Sequence, residues 1–447
     1  MITVVGMDGS ALSAEAEAAL AAASLVVGAR RHLAAVPALT APHRARTIVL
    51  GELAPALDAL AAHDGDAVVL ASGDPGFFGI VRALRESGLA VTVLPAVSSV
   101  ALAFARAGLA WDDAVVVSAH GRDPRPSVNV CRAHPKVAVL TGPGCGPAEI
   151  GAALDGWDRR LVVAEHLGTE EERITECSPA DAAARTWADP NVVLVLAGSP
   201  APGKVMNAAF ITKETDERHI HHERHGAGAG WLAGASGASG GWALAEEEFD
   251  TRDAVMTKAE VRALALARLG PGPGMLIWDV GAGSGSVGIE CARFGAAVIA
   301  VERDTVRCER VRANAARHGV DVRVVQGEAP RALAELPDPD AVFVGGGGPG
   351  VVEAVAARRP ARIVVALAAV ERAGQAIAAL DSAGYATDGA LVQAARLAPL
   401  PGDVHRLAAT NPVLLVWGTA APGSTEPVSA GNHEGRKDRD TGPGAPR

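Results

Sequence analysis

The stretch IWDVGAGSGSVGIE, residues 277–290, limits the possible folds of this chain more than any other. An apolar run, three closely spaced glycines and an amphipathic restart read as strand, tight turn and helix, the unit of parallel α/β sheets. Two motif frames overlap in the turn. Gly281, Gly283 and Gly285 form G-x-G-x-G, while Gly283, Gly285 and Gly288 form G-x-G-x-x-G. The second frame is a dinucleotide fingerprint, in which backbone N–H groups meet a pyrophosphate. The first suits a methyl donor. Asp279 stands two residues before the first glycine, at the expected mouth of the loop. A carboxylate there repels a pyrophosphate and suits the cationic end of S-adenosylmethionine. Its other reading is a hydrogen bond to the turn backbone.

Further features follow in order. Glu302 ends the next strand, AVIAVE, 23 residues after Asp279, where an acid can accept from ribose hydroxyls. Glu328 and Ala329 follow the third strand in VVQGEAP, where an adenine is expected, and Gly345–Gly348 end the fourth in AVFVGGGG. All fall at carboxyl ends of parallel strands, where open α/β sheets bind ligands. The methyl-donor frame is preferred, with a dinucleotide oxidoreductase the weakest rival. On the residues alone the candidate cofactor positions are Asp279, the glycines of the turn, Glu302, Glu328 and Ala329.

At 447 residues the chain is too long for one core. Short Val/Leu/Ile runs alternate with Ala-rich amphipathic stretches up to about residue 420. The pattern breaks at 211–248, rich in Gly, Ser and charge, so the expected order is a domain at 1–210, a flexible linker at 211–248, a domain at 249–420 and a disordered tail at 421–447. The second domain begins with a helix for which Thr257 and Glu260 are the expected capping box. His219, His221, His222 and His225 read as solvated linker residues, so no metal site is expected. A net charge of −10 and the absence of Lys/Arg clustering argue against nucleic acid as a partner. Five scattered cysteines without C-x-x-C, no basic leader and no membrane-length apolar run lead to an expected cytoplasmic location.

The residues MTKAEVRALALARL, WDVGAGSGSVGIE, GEAPRAL, FVGGGG and NPVLLVWG make the second half resemble the decarboxylating precorrin methylases of cobalamin biosynthesis. That resemblance implies a seven-stranded Rossmann-like fold and donor contacts from Thr257, the turn Gly281, Ala282, Gly283, Ser284 and Gly285, Glu302 and Ala329. In the first half, VVGMDGS, VVLASGDPGFFGI, LPAVSSVALAFARAGL and AEHLGTEEERI resemble a tetrapyrrole methylase domain, a two-lobed α/β fold with the donor in the cleft between lobes. The implied contacts are Gly6, Gly73, Asp74, Phe78, Ser98 and Ser99; on residue chemistry alone, Gly73–Gly76 also reads as an ordinary turn. The opening Gly6-Met7-Asp8-Gly9 departs from the Gly-x-Gly-Pro-Gly run of many relatives.

His120, Arg122 and Arg125 in VVVSAHGRDPRP are candidates to grip substrate carboxylates. The two halves together resemble the fused precorrin methyltransferases. The reaction implied is methylation of precorrin-6B at carbons 5 and 15 and loss of carbon dioxide from the ring C acetate, giving precorrin-8X with two S-adenosylmethionine consumed. A homo-oligomer is also implied. No catalytic acid or base can be named. The rival readings are an RNA methyltransferase and a non-catalytic S-adenosylmethionine sensor.

Overall fold

The computed structural model describes residues 1–36, 45–198, 241–251 and 256–420. The first half opens with strands β1 (Ile2–Met7), β2 (Leu25–Gly28), β3 (Arg46–Val49), β4 (Ala67–Ser72) and β5 (Val91–Leu94), all parallel in the order β3-β2-β4-β1-β5. Their central runs are apolar on both faces: Val4, Val5, Val26, Val27, Val68 and Val69 are buried beneath helices α1 (Ala14–Ala22), α2 (Arg30–Ala34), α3 (Leu53–Ala61) and α4 (Val81–Glu86). That double burial is what a parallel sheet requires.

Helix α5 (Ser99–Ala107) leads into a second lobe of β6 (Val115–Ser118), α6 (Pro124–Ala133), β7 (Lys136–Leu140), α7 (Pro147–Ala153), β8 (Arg159–Glu165), β9 (Arg173–Cys177), α8 (Pro179–Ala183) and β10 (Asn191–Ala197). Its order is β6-β7-β10-β8-β9, parallel only between β6 and β7. The two-lobed expectation holds. The sequence reading misses β9, a short strand at the sheet edge.

The second half runs α9 (Ala259–Leu269), β11 (Leu276–Val280), α10 (Ser286–Arg293), β12 (Ala297–Glu302), α11 (Thr305–Arg317), β13 (Arg323–Gln326), β14 (Ala341–Val344), α12 (Pro349–Ala357), β15 (Arg362–Leu367), α13 (Glu371–Ser382), β16 (Tyr385–Val392), β17 (Ala395–Leu400), β18 (Val404–Ala409) and β19 (Val413–Ala420). Seven of these strands form one sheet, β13-β12-β11-β14-β15-β19-β16, parallel up to β15, with β19 antiparallel to both its neighbours. The chain order reverses between β11 and β14, which makes a crevice at the strand ends. The hairpin β17–β18 lies outside the sheet and was not expected.

Two expectations are corrected. Thr257 does not cap α9: the N-cap is Lys258 with no side-chain bond, and the Ala259 N–H donates to Glu246 Oε1 at 3.0 Å. Glu260 is instead held by Arg396 at 2.7 Å, a charge-assisted pair that outcompetes a local cap. Residues 211–240 of the expected linker, with its histidines, and the tail at 421–447 lie outside the described residues. Residues 241–248 are docked on the second half, where the Ala243 and Leu244 N–H groups donate to Glu290 at 2.6 and 2.9 Å. Among the described residues no helix is long and apolar enough to cross a membrane.

The halves meet at the amino-terminal edge of the seven-stranded sheet. Asp340, just before β14, accepts from Arg125 Nη2 at 3.1 Å, from Asn129 Nδ2 at 3.4 Å and from the Leu276 N–H at 2.7 Å. Arg159, its side chain 2% exposed, pairs with Asp321 at 2.8 Å. Trp157 enters the same core cluster as Trp278.

Candidate active sites at two sets of strand ends

The glycine turn of the second half lies at the carboxyl ends of β11 and β12, on the opposite edge from the junction. The Gly281 and Ala282 N–H groups both donate to Val301 O, and Gly281, Gly283 and Gly285 all take positive φ, so side chains are disfavoured at each. A Cβ on Gly283 meets nothing within 4 Å, whereas one on Gly281 lies 3.0 Å from Gly346 N. The turn is therefore open above Gly283 and abuts the Gly345–Gly348 segment at Gly281. Ser284 is buried, and its carbonyl accepts from Asn314 Nδ2 at 2.9 Å, which props the turn from below.

Glu302 sits where the spacing placed it. Its Oε2 accepts from the Gly283 N–H at 3.0 Å, and its Oε1 accepts from Arg303 and Asp304 N–H groups at 2.9 and 3.1 Å. Asp279 is corrected: it lies beneath the turn, 1% exposed, rather than at its mouth. Its Oδ2 accepts from the Gly288 N–H at 2.9 Å, the turn-backbone role left open by the sequence, and its Oδ1 is buried without a partner. Burial pushes this carboxyl up to about 7, a rise reinforced by Glu302 and opposed by the Gly288 bond.

Thr257 is half-buried, and its carbonyl accepts at 2.8 Å from Arg262, which pairs with Glu290 of α10. Ala329 packs on the core past β13, while Glu328 is largely exposed, 3.6 Å from Arg303. Next to the glycine turn a cleft of about 290 Å³ is lined by Gly345–Gly348, the ends of β14 and β15, and the start of α13. Arg372 and Gln375 line it, and no sequence motif singled them out.

In the first half the ends of β4, β1 and β5, three adjacent strands, come together. A Cβ on Gly6 falls 2.3 Å from Gly73 O and 2.6 Å from Ala96 N, so only glycine fits. The Gly73 N–H donates to Met7 O at 2.6 Å, and a Cβ on Gly73 falls 3.1 Å from Ser99 N. Ser98 caps α5 by accepting from the Ala101 N–H at 3.1 Å. Asp74 accepts from the Gly76 N–H at 2.8 Å, so it does close a turn, and Phe78 stands at φ 54, 45% exposed.

Asp8, which the sequence reading left aside, ties two of these loops: its Oδ2 accepts from the Val97 N–H at 3.1 Å. Burial favours its neutral form, but bonds from Ser10 and Val97 outweigh that and hold the carboxyl below its ordinary range. A Cβ on Gly9 falls 1.9 Å from Gly168 O, so the lobes touch here. The departure at Met7–Gly9 thus accommodates the second lobe. His120 and Arg122 stand exposed on the turn before α6. Arg125 is engaged by Asp340 at the junction.

Comparison with known proteins gives one family match in each half. A family model described as tetrapyrrole (corrin/porphyrin) methylases covers residues 1–183, and one described as a precorrin methyltransferase domain covers 247–419. A cobalt-precorrin-7 C(5)-methyltransferase of Salmonella typhimurium is 38% identical over 39% of this chain and 89% of its own length. A probable cobalt-precorrin-6B C(15)-methyltransferase (decarboxylating) of Pyrobaculum calidifontis is 37% identical over 39% of this chain and 93% of its own. A precorrin-6Y C(5,15)-methyltransferase (decarboxylating) of Sinorhizobium sp is 38% identical over 79% of this chain and 80% of its own. That match is too long for either half alone to supply, and the chain belongs to the precorrin-6Y C(5,15)-methyltransferase (decarboxylating) family.

Proposed function

We propose that this chain methylates carbons 5 and 15 of precorrin-6B and releases the ring C acetate carboxyl as carbon dioxide, giving precorrin-8X. The observation that carries the reading is one chain with two separate glycine-lined strand-end sites, the second with the buried acids Asp279 and Glu302 at its turn in place of phosphate-binding cations. Relatives that match a comparable share of the chain are named for one task each, C(5) methylation or C(15) methylation with decarboxylation. We therefore assign carbon 5 to a first domain at 1–210, and carbon 15 with decarboxylation to a second domain at 249–420.

Each domain is assigned one S-adenosylmethionine. Gly6, Gly73, Asp74, Phe78, Ser98 and Ser99 hold it in the first. Thr257, Asp279, the turn Gly281–Gly285, Glu302, Glu328 and Ala329 hold it in the second. The open space over Gly283 leaves room for it. When bound, this cosubstrate supplies a methyl already activated by a sulfonium. The chain supplies alignment and exclusion of water, worth several kcal/mol of barrier when the reacting atoms are held close. Methylation leaves the macrocycle cationic. The acetate C–C bond then breaks, its electron pair passes into that ring system and carbon dioxide leaves, so the site must hold the macrocycle without neutralising the ring.

Self-association belongs to the same reading: β17–β18 leaves Leu397 72% and Leu407 68% exposed, an apolar patch that a second copy could cover. Sedimentation showing a monomer would remove that part. The activity is tested by incubating the full chain with precorrin-6B and methyl-labelled donor. The expected product has gained two methyls and lost one carbon dioxide. In a Gly283→Arg chain only carbon 5 should carry label, and label at carbon 15 would reverse the assignment of the halves.

A further inference from the structure

We infer that Arg372, assisted by Gln375, anchors a carboxylate of the acceptor macrocycle in the second-half cleft, and that this carboxylate is one retained in the product. The inference rests on the activity proposed above and adds the residue that positions its substrate.

The cleft adjoins the glycine turn, because a Cβ on Gly281 already lies 3.0 Å from Gly346 N in the cleft wall. Much of the wall is apolar: Val344, Val352, Val365 and Ala376 are all at most 3% exposed. Among the lining residues only Arg372 is charged. Its Nη1 makes one long bond, 3.4 Å to Gly347 O, and no carboxylate of the described residues lies within ion-pairing distance of it. Most of the fork is therefore free to take a carboxylate from solution. Gln375 stands three residues along α13, on the same helix face. A guanidinium that binds a carboxylate bidentately fixes direction as well as charge. That is what a flat, many-armed acid needs to present one meso carbon.

The chemistry decides which carboxylate. Loss of carbon dioxide drains negative charge from the departing carboxylate into the ring. A cation on that group would stabilise the ground state more than the transition state and slow the step. A cation on a neighbouring, retained arm leaves the barrier untouched and adds binding and orientation.

The test uses the full chain with precorrin-6B as varied substrate, following carbon dioxide release and donor binding. Arg372→Ala should raise KM about 10- to 100-fold, the range for one charge-assisted contact. Its kcat for carbon dioxide release should stay within about threefold, and both donor affinities should be unchanged. Arg372→Lys should recover part of the loss, since a point charge replaces the fork, and Gln375→Ala should raise KM by less than Arg372→Ala. An unchanged KM in an active Arg372→Ala enzyme overturns the inference, whether or not kcat falls. Failure of the unaltered chain to convert the macrocycle instead overturns the activity on which the inference rests.

Discussion

The Gly283 N–H donates to Glu302 Oε2 at 3.0 Å, so the acid that ends β12 also holds the turn that starts α10. One carboxylate thus shapes the loop, through its bonds to Gly283, Arg303 and Asp304. Glu302→Ala removes the acceptor for three backbone N–H groups and should weaken donor binding in the second half about 10- to 100-fold. Calorimetry on the full chain should show one weakened site and one unchanged; equal weakening of both would contradict the assignment.

The two glycine sites should fail independently. Gly6→Val places carbon atoms where Gly73 O and Ala96 N lie within 2.6 Å of a Cβ, so the first-half site should lose donor binding and carbon 5 methylation. Gly283→Arg carries a backbone cost of about 1–2 kcal/mol at φ 59, but its Cβ has open space and its long side chain can fill it, so the second half should stay folded and lose its donor. Labelled-methyl NMR of the products separates the two outcomes.

Arg262 and Glu290 form an ion pair of 2.5 Å with both side chains 0% exposed, joining α9 to α10. Removing one partner strands a buried charge, so Glu290→Gln should cost about 3–5 kcal/mol in denaturant unfolding. The double variant Arg262→Met, Glu290→Gln removes the stranded charge and keeps an amide oxygen that can accept from the Ala243 and Leu244 N–H groups, so it should cost less than Glu290→Gln alone. Equal losses in the single and double variants would show the pair acts otherwise.

Two buried groups should give the halves opposite pH responses. Burial, then the charge on Arg31, holds His32 down at about 4. Its neutral ring contributes stability that is complete above the unfolded value near 6.5 and lost as pH falls toward 4. Asp279, raised to about 7 by burial, binds its proton more tightly in the folded chain, so its effect on stability is most favourable below about pH 4 and declines as pH rises to 7. Asp279→Asn should abolish the decline and His32→Gln the rise, each read as the stability difference from the unaltered chain between pH 4 and 7. A pH-independent difference for either would refute its assignment.

Asp340 joins the halves through Arg125 and Asn129 while also accepting from the Leu276 N–H. Asp340→Ala should destabilise the chain by about 1–3 kcal/mol, mainly through the unpaired Leu276 group. Arg125→Ala breaks only a half-exposed pair and should cost about 1 kcal/mol or less, with the acceptor KM unchanged. A tenfold rise in that KM would return Arg125 to the acceptor site.

Much of the candidate site's backbone frame was legible because its markers are local. Glycines alternating with single residues specify a tight strand–helix turn, and an acid ending the next strand has to lie beside it. Asp279 shows the limit of that reading. Its position in the chain is compatible with the mouth of the loop or with its underside, and only the packing of α10 over β11 puts it beneath, bonded to Gly288. Arg372 belongs to no motif, because a single arginine early in a helix acquires meaning only from the cleft it faces.

Residue pattern alone determined most of the succession of strands and helices, β9 and the β17–β18 hairpin excepted, and the glycine turns, since side-chain periodicity and φ preference act over a few neighbours. Tertiary structure decided the strand order of the sheets, the docking of residues 241–248, the Asp340 junction and the cleft beside Gly346. Those features join residues tens to hundreds of positions apart, and which of them meet depends on how whole faces pack, a choice that local periodicity does not encode.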